Sequence, residues 1–456
     1  MKKLILTLTA CAYLMAGYGQ TQADKKFSQQ QLKDDAEFLK KQLFDAHANP
    51  FTELDKQQYE QLFAGIESKI TDSLNITSFY KLIKPVFSYL SDEHSAINID
   101  PLATDDTYSN QPVFLPFSLV KSGNNYLVSN LLAPVSGIAN GDNILRIDNV
   151  PIAELAERCS HYTTGFAGQR HENALKQFGY LYTWSSTTPQ QHYKILTNKG
   201  EVTINAVNSK TWLTYLNTSS SSQNCSQPIT YARYGDAGYI NSCTFLTHND
   251  KEFSDLSAKI DSVFRLAKKD KVKYLFIDVS RNEGGNSSVG DVLISYFSGK
   301  PYRDYQCNWR RSDEYLSLIT KWGIKDSSYA AKTPGSIIHF DSDTISPGAN
   351  NPDRFTGKVY IMVGSGTFSS AMMFATIVKD NHIATLIGQT PQNGHPDHFG
   401  ELYNSELPNT KLKFRFGVKE WIRPAGKLSD NYLRPDVEFD PGKYGSVQEM
   451  IEAVKK

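Results

Sequence analysis

Hydrophobic residues recur every three or four positions near the start of the chain, which is the spacing of one helix face. Between residues 27 and 90 this repeat predicts three helices, and Asn49-Pro50 separates the first helix from the second. The apolar face of the first helix is formed by Leu32, Ala36, Leu39, Leu43 and Ala46. Such faces must be buried against one another, so we expect a helical N-terminal domain over residues 24–100.

The pattern changes to short strand-like runs between about residues 112 and 206. Residues 141–152 contain a turn, a β-rich run, a tight turn and a further short strand. This stretch resembles the core of PDZ-like domains, which can bind peptides by strand addition. We therefore expect a PDZ-like domain at residues 110–210. A polar segment rich in Ser, Asn and Gln at residues 217–228 is predicted to be a linker.

From residue 231 onward, apolar strands alternate with helical repeats. Residues 272–279 and 359–363 are nearly continuous apolar runs of the kind buried in parallel sheets. A helix is predicted after each of them, which favours right-handed parallel crossovers. The predicted fold class is α/β, with an N-terminal helical bundle, a PDZ-like β-rich domain and a C-terminal α/β domain over residues 229–456.

The extreme N-terminus has the pattern of a secretory signal peptide. Lys2 and Lys3 precede an apolar run at residues 4–16, and small or polar residues follow up to Ala23. We expect residues 1–23 to be removed on export, with the bacterial periplasm as the compartment. A lipid anchor through Cys11 stays open, because residues 8–11 resemble a lipobox. No later apolar run is long enough for a permanent transmembrane segment.

Composition narrows the function classes. The chain has 48 Lys and Arg against 48 Asp and Glu, which argues against nucleic acid as the main partner. No metal-binding, P-loop or dinucleotide motif is present, so neither a metal nor another cofactor is expected. The cysteines of the mature chain are Cys159, Cys225, Cys243 and Cys307. Their disulfide pairing and the oligomeric state stay open.

Ser369 follows a buried strand and a glycine-containing turn, at the point where the next helix should begin. A serine there can be a helix N-cap. It can also be a nucleophile, since the unpaired N–H groups of a helix N-terminus stabilise an oxyanion. A second strand ends in the paired glycines Gly284 and Gly285, which can expose backbone N–H groups to a ligand. Loops at the carboxyl ends of one sheet converge.

Together these segments resemble the C-terminal processing (tail-specific) peptidases, with the tricorn core and interphotoreceptor retinoid-binding protein as relatives. The resemblance lies in residues 278–285, 367–381, 388–390 and 434–437, in the family's order. It implies a ClpP/crotonase-like catalytic domain with Ser369 as nucleophile. It also implies an oxyanion hole formed by the N–H of Ser370 and an N–H of Gly284 or Gly285.

The sequence differs from the processing peptidases at the position of the general base. Their lysine is replaced here by Gly394, so histidine is the natural substitute. His94 resembles the base of the tricorn-core-like branch, and His395, next to the missing lysine, is the alternative. For the acid that orients the base we expect Asp430, with Glu420 as second choice.

The predicted function is an exported serine endopeptidase that cleaves polypeptides. The alternative is a non-catalytic protein that binds peptides or hydrophobic ligands on the same fold. A different hydrolase, such as an esterase, is a third option. The aromatic-rich insertion at residues 300–351 is either a lid over the site or ordinary packing.

Overall fold

A computed structural model describes residues 25–71, 74–100, 104, 106–186, 188–219, 225–347 and 351–455. The predicted signal segment, including Cys11, lies outside the described residues. Among the helices of the described ranges, none is both long and apolar enough to cross a membrane.

The N-terminal part is mainly helical, as predicted. Its elements are β1 (Lys26–Phe27), α1 (Gln29–Ala46), α2 (Lys56–Lys69), β2 (Leu74–Asn75), α3 (Ile76–Ile83), a 3-10 helix (Lys84–Leu90), β3 (Ala96–Asn98) and α4 (Asp106–Ser109). Capping boxes at Ser28 and Asp55 begin α1 and α2. The third predicted helix ends early as an α-helix, because Pro85 lacks an N–H and the chain continues in a 3-10 turn.

The second part is a β-sheet with helices inserted between its strands. Its elements are β4 (Phe117–Ser122), β5 (Asn125–Leu131), β6 (Asn143–Ile147), β7 (Val150–Pro151), α5 (Ile152–Ser160), α6 (Ala167–Lys176), α7 (Phe178–Ser185), β8 (His192–Thr197), β9 (Gly200–Asn205) and α8 (Ser209–Ser219). The sheet order is β4-β5-β6-β8-β9, all antiparallel, and β7 pairs with β6.

The sequence pattern predicted only strands here and missed three helices. Leu155, Ala156 and Cys159 have helical spacing and bury one face of α5 in the core of this part. Helix α8 also covers the start of the predicted linker at residues 217–228. The PDZ-like assignment itself stays a prediction.

The third part alternates strands and helices. In chain order its elements are β10 (Ile229–Tyr234), β11 (Ala237–Ser242), α9 (Asp250–Lys269), β12 (Tyr274–Asp278), α10 (Ser288–Ser295), β13 (Tyr302–Arg303), β14 (Gln306–Arg310), α11 (Asp313–Lys321), α12 (Ser327–Ala330), β15 (Ile337–Phe340), β16 (Thr344–Ile345), β17 (Lys358–Val363), α13 (Ser369–Asp380), β18 (Thr385–Gly388), β19 (His398–Glu406), β20 (Lys413–Ile422), β21 (Val437–Glu438), a 3-10 helix (Pro441–Lys443) and α14 (Val447–Lys455).

The main sheet has the order β10-β11-β12-β17-β18-β21 and is parallel from β11 to β21. Helices α9, α10 and α13 contribute to the core on one face, and α14 contributes to the core on the other. The predicted α/β class and the order of the three parts are confirmed. The turns that carry Gly284 and Ser369 follow β12 and β17, which are neighbouring parallel strands, so both lie at the same edge.

A second sheet joins the N-terminal part to the third part. Its order is β15-β14-β20-β19, and β3 pairs antiparallel with β20. The register places Ala96 opposite Arg415 and Ile97 opposite Phe414. The segment just before β3 is therefore held beside the third part.

Most of the large aromatic side chains in the predicted lid segment are buried. Tyr302, Tyr305 and Trp309 lie in the hydrophobic cores, whereas Trp322 and Phe340 are about half exposed. This favours ordinary packing for the three buried rings.

The cysteines of the described residues form one bridge and leave two free thiols. Cys225 and Cys243 form a disulfide, while Cys159 and Cys307 are free and buried. Burial raises the pKa of both free thiols to about 12, which keeps them protonated and unreactive at neutral pH.

We predict that Arg423→Gln destabilises the protein far more than Arg434→Gln. The Arg423 guanidinium donates two hydrogen bonds to Asp380 at 3.0 and 2.6 Å, and both side chains are at most 5% exposed. Removing one partner leaves a buried charge, which costs about 3–5 kcal/mol. Arg434 pairs with Asp430 at the surface, where such pairs contribute little. Urea unfolding of both variants tests this, and equal effects would contradict it.

Candidate active site

The turn before α13 presents the Ser369 side chain. The N-cap of α13 is Phe368, in extended conformation, and it makes no side-chain capping bond. Ser369 itself has a φ of 50°, in the left-handed region that disfavours residues with a Cβ atom. Such strain persists only where the surroundings enforce it, and it is concentrated at functional sites. Because Phe368 occupies the N-cap position, the alternative in which Ser369 caps the helix is wrong.

His94 lies against this serine. Its Nε2 is 3.1 Å from Ser369 Oγ, although the two residues are 275 positions apart in the chain. The imidazole also stacks on Phe368, with ring centroids 4.7 Å apart. The contact to Oγ and the stacked ring together define the orientation of the histidine.

The backbone of His94 is held by Asp92. One carboxylate oxygen of Asp92 accepts the N–H of His94 at 2.8 Å, and the other accepts the N–H of Gly417 in β20 at 2.9 Å. The fully buried His47 places its Nε2 3.3 Å from the same carboxylate. Burial by itself raises the pKa of Asp92, but His47, His94 and the Gly417 N–H outweigh it and lower this pKa below its usual value.

The environment of His94 favours the neutral ring. Burial lowers the pKa of His94, and the nearby charge of Asp92 only partly opposes this. Nδ1 makes no hydrogen bond of ordinary geometry with any described residue. The Phe399 backbone raises the pKa of His94, but the effect of burial is larger. A neutral histidine with Nε2 facing a hydroxyl can accept its proton.

The paired-glycine loop packs directly on the serine. A Cβ atom on Gly284 would lie 2.9 Å from Ser369 Cβ, so only glycine fits. The Gly284 N–H already donates to Asn282 Oδ1 at 2.9 Å, which argues against it as an oxyanion donor. Within the described part of the chain, the N–H groups of Gly285 and Ser370 have no acceptor. These two are the candidate donors.

The Ser370 side chain links the start of α13 to the paired-glycine loop, and the sequence did not reveal this contact. Its hydroxyl donates to the Gly285 carbonyl at 2.7 Å. On the other side of the loop, the Phe245 N–H donates to the Gly284 carbonyl and the Phe245 carbonyl accepts from Asn286. The orientation of the Gly285 peptide is thereby set from both sides.

Two of the predicted site residues have other partners. The His395 Nδ1 is 2.6 Å from Glu93 Oε1, and both side chains are 2% exposed. His395 therefore forms a buried pair beside the site and does not contact Ser369. The carboxylate of Asp430 accepts from Arg434 at 2.6 Å and is half exposed. The expectation that Asp430 orients His94 is wrong, because the cation four residues along the chain holds its side chain at the surface.

The second choice for the orienting acid is also engaged elsewhere. Glu420 accepts hydrogen bonds from Asn308 and Lys427. The sequence missed Asp92, although it lies two residues before His94. An Asp whose side chain accepts the N–H two residues on is a common local motif, and that spacing was the available signal.

Asp92, Glu93 and His94 could be considered as metal ligands, since their ligand atoms lie within 4.8 Å of one another. Each is already engaged: Asp92 by two backbone N–H groups, Glu93 by His395 and His94 by Ser369. This favours hydrogen bonding over metal coordination for the cluster.

Comparison with known families agrees with this geometry. Residues 236–439, which include the glycine loop and Ser369, match Peptidase family S41. The chain therefore has the catalytic domain of a serine-type peptidase. No curated protein sequence matches the chain significantly.

Solved structures extend the likeness to nearly the whole chain. Mature CPAF complexed with lactacystin has a TM-score of 0.59 at 15% identity, over 94% of this chain and 97% of that chain. Mature CPAF alone gives 0.59 at 16% identity with the same coverage. The photosystem II D1 C-terminal processing protease has a TM-score of 0.42 at 14% identity, also over 94% and 97%. The likeness to CPAF shows that the fold is shared over nearly the whole chain.

We predict that Asp92→Ala destabilises the protein by about 3 kcal/mol or more. The change leaves two backbone N–H groups without their acceptor and removes the carboxylate that lies 3.3 Å from the buried His47. Asp92→Asn should cost less, because its side-chain carbonyl can still accept one of the N–H groups. Chemical denaturation of the two variants measures the difference. An Asp92→Ala protein as stable as wild type would show that Asp92 does not hold this segment.

Proposed function

We propose that the protein is an exported serine endopeptidase that cleaves polypeptides through an acyl-enzyme on Ser369. The distance of 3.1 Å between His94 Nε2 and Ser369 Oγ is the observation that carries this proposal. It is the distance at which a base can take the proton of an attacking hydroxyl. The match of residues 236–439 to a peptidase family supports the peptide bond as the target.

In the proposed mechanism, His94 takes the proton from Ser369 Oγ as this oxygen attacks the scissile carbonyl carbon. The resulting oxyanion accepts hydrogen bonds from the N–H groups of Gly285 and Ser370. Protonated His94 then donates its proton to the leaving amine, and the C–N bond breaks. A water molecule, deprotonated by His94, attacks the ester carbonyl and releases the acid product and free Ser369.

The base in this mechanism is oriented differently from that of a Ser-His-Asp triad. No carboxylate accepts from His94 Nδ1 among the described residues, and the ring is held by its backbone and by stacking on Phe368. A buried imidazolium without a carboxylate partner is less stabilised. We therefore expect a modest turnover. Membership of the tricorn-core-like branch stays a prediction.

Export is part of the proposal. The N-terminal pattern of two lysines, an apolar run and small residues is that of a signal peptide. The disulfide between Cys225 and Cys243 supports an oxidising compartment, since such bridges are rare in reducing cytosol. We propose the periplasm, with a lipid anchor at Cys11 as the variant of this hypothesis.

We predict that a fluorophosphonate probe labels the wild-type protein and that Ser369→Ala abolishes labelling. His94→Ala should reduce the labelling rate by about 100-fold or more, because general-base assistance contributes factors of this size. The measurement is in-gel fluorescence over time, combined with cleavage of an unfolded protein substrate.

Matched controls are Ser254→Ala and His192→Ala, both at exposed positions outside the site. They should label like wild type. Absence of labelling in the wild type would favour the non-catalytic binding protein. Labelling without any cleavage of polypeptide would instead favour an esterase.

We predict that kcat/KM for a peptide rises with pH, with a midpoint below about 6.5, the ordinary value for histidine. Only neutral His94 can accept the serine proton. Burial lowers the pKa of His94, so the ring stays neutral to a lower pH than in water. Initial rates at low substrate concentration between pH 4 and 9, in single pH steps, give the midpoint. A midpoint well above neutrality would indicate another base.

A further inference from the structure

A cavity of about 720 Å³ adjoins the candidate active site. All three parts of the chain contribute to its wall. The residues that bear on its chemistry are Lys84, Glu93, Arg281, Glu283, Phe368 and Arg415. Phe368 directly precedes the serine, and Arg415 donates from Nε to the backbone carbonyl of His94 at 3.1 Å. A substrate bound at Ser369 can therefore extend into this space.

Lys84 is a buried cation to which the described residues offer no counter-charge. The residue is only 8% exposed, and its ammonium donates to the Ile97 carbonyl at 3.2 Å. No carboxylate of the described residues forms an ion pair with it. Burial, assisted by the positive charge of Arg415, lowers the pKa of Lys84 to about 8. A buried, unpaired charge is costly, and an anion placed beside it would be stabilised.

Two guanidinium groups reinforce the positive character of the cavity. Arg281 is exposed and forms no ion pair within the described ranges, and the terminal nitrogens of Arg415 make no hydrogen bond there. The carboxylates in the wall are Glu93 and Glu283. Glu93 already contacts His395, and the three cations Lys84, Arg281 and Arg415 outnumber the two carboxylates. Positive charge therefore exceeds negative charge in the cavity wall.

We propose that this cavity is a subsite for a carboxylate group of the polypeptide substrate, bound by Lys84, Arg281 and Arg415. The inference rests on the proposed function for its substrate class. Charge-assisted hydrogen bonds from lysine and arginine are the strongest that a carboxylate can accept in a protein. The carboxylate has two sources, an Asp or Glu side chain near the scissile bond or the free C-terminus of the chain.

The experiment measures binding to the Ser369→Ala variant, so that it does not depend on catalysis. Fluorescein-labelled peptides are compared in pairs: Glu against Gln at each position around a cleavage site, and free acid against amide at the C-terminus. Fluorescence anisotropy gives the Kd. We expect one carboxylate peptide to bind about tenfold or more tightly than its neutral partner. The pair that differs identifies the source of the carboxylate.

The added substitutions Lys84→Met and Arg281→Gln should each reduce that ratio toward one. Lys84→Met keeps the length of the side chain but is buried, so its folding is checked by circular dichroism. Arg281→Gln lies at the surface and keeps the proposal testable if Lys84→Met does not fold. Lys332→Met, an exposed lysine elsewhere, is the matched control and should leave the ratio unchanged.

Three outcomes would overturn the subsite: no peptide binds, acid and neutral partners bind equally in every pair, or the preference survives both substitutions. Failure of the subsite can be distinguished from failure of the proposed peptidase function. A carboxylate preference of the Ser369→Ala variant, combined with a wild-type protein that fluorophosphonate never labels, would argue against the peptidase and keep the subsite. Labelling without any carboxylate preference would do the reverse.

Discussion

Three residues of β3 pair with β20, and this short ladder joins the segment that carries His94 to the part that carries Ser369. Asp92 strengthens the junction by accepting the N–H of His94 and the N–H of Gly417 with the two oxygens of one carboxylate. The imidazole can reach the serine hydroxyl only because this junction is formed. The site thus depends on backbone hydrogen bonds between chain segments more than 300 residues apart.

The same junction explains the electrostatics of the site. Burial lowers the pKa of both His94 and Lys84, because both lie where the N-terminal part meets the third part. His94 thus favours its neutral form, and Lys84 has no counter-charge among the described residues. A neutral histidine is suited to act as a general base, and an unpaired lysine is suited to bind an anion. One packing arrangement therefore supports both the proposed catalysis and the proposed carboxylate subsite.

The parts of the site that could be predicted are those defined by local sequence. Ser369 follows an apolar strand and precedes a helix, and the paired glycines follow a second such strand, so parallel pairing brings them to one edge. Predictions that depended on side-chain direction were less successful. Asp430 lies near the expected place in the sequence, but Arg434, four residues further on, holds its carboxylate at the surface. Helices α5, α6 and α7 were missed because each is short and all three lie between strands β7 and β8. Their apolar residues therefore repeat too few times to show a helical period.

By itself, the sequence determined the strand-to-helix turn at Ser369, the glycine loop and the α/β order of the third part, because short-range spacing and backbone preference decide these features. Only the tertiary structure decided that His94, and not His395, faces the serine and that the Gly284 N–H is already used. It also decided that Lys84 has no carboxylate partner among the described residues. Each of these depends on which distant segments pack together. That packing follows from the summed burial and hydrogen bonding of the whole chain, which no local pattern records.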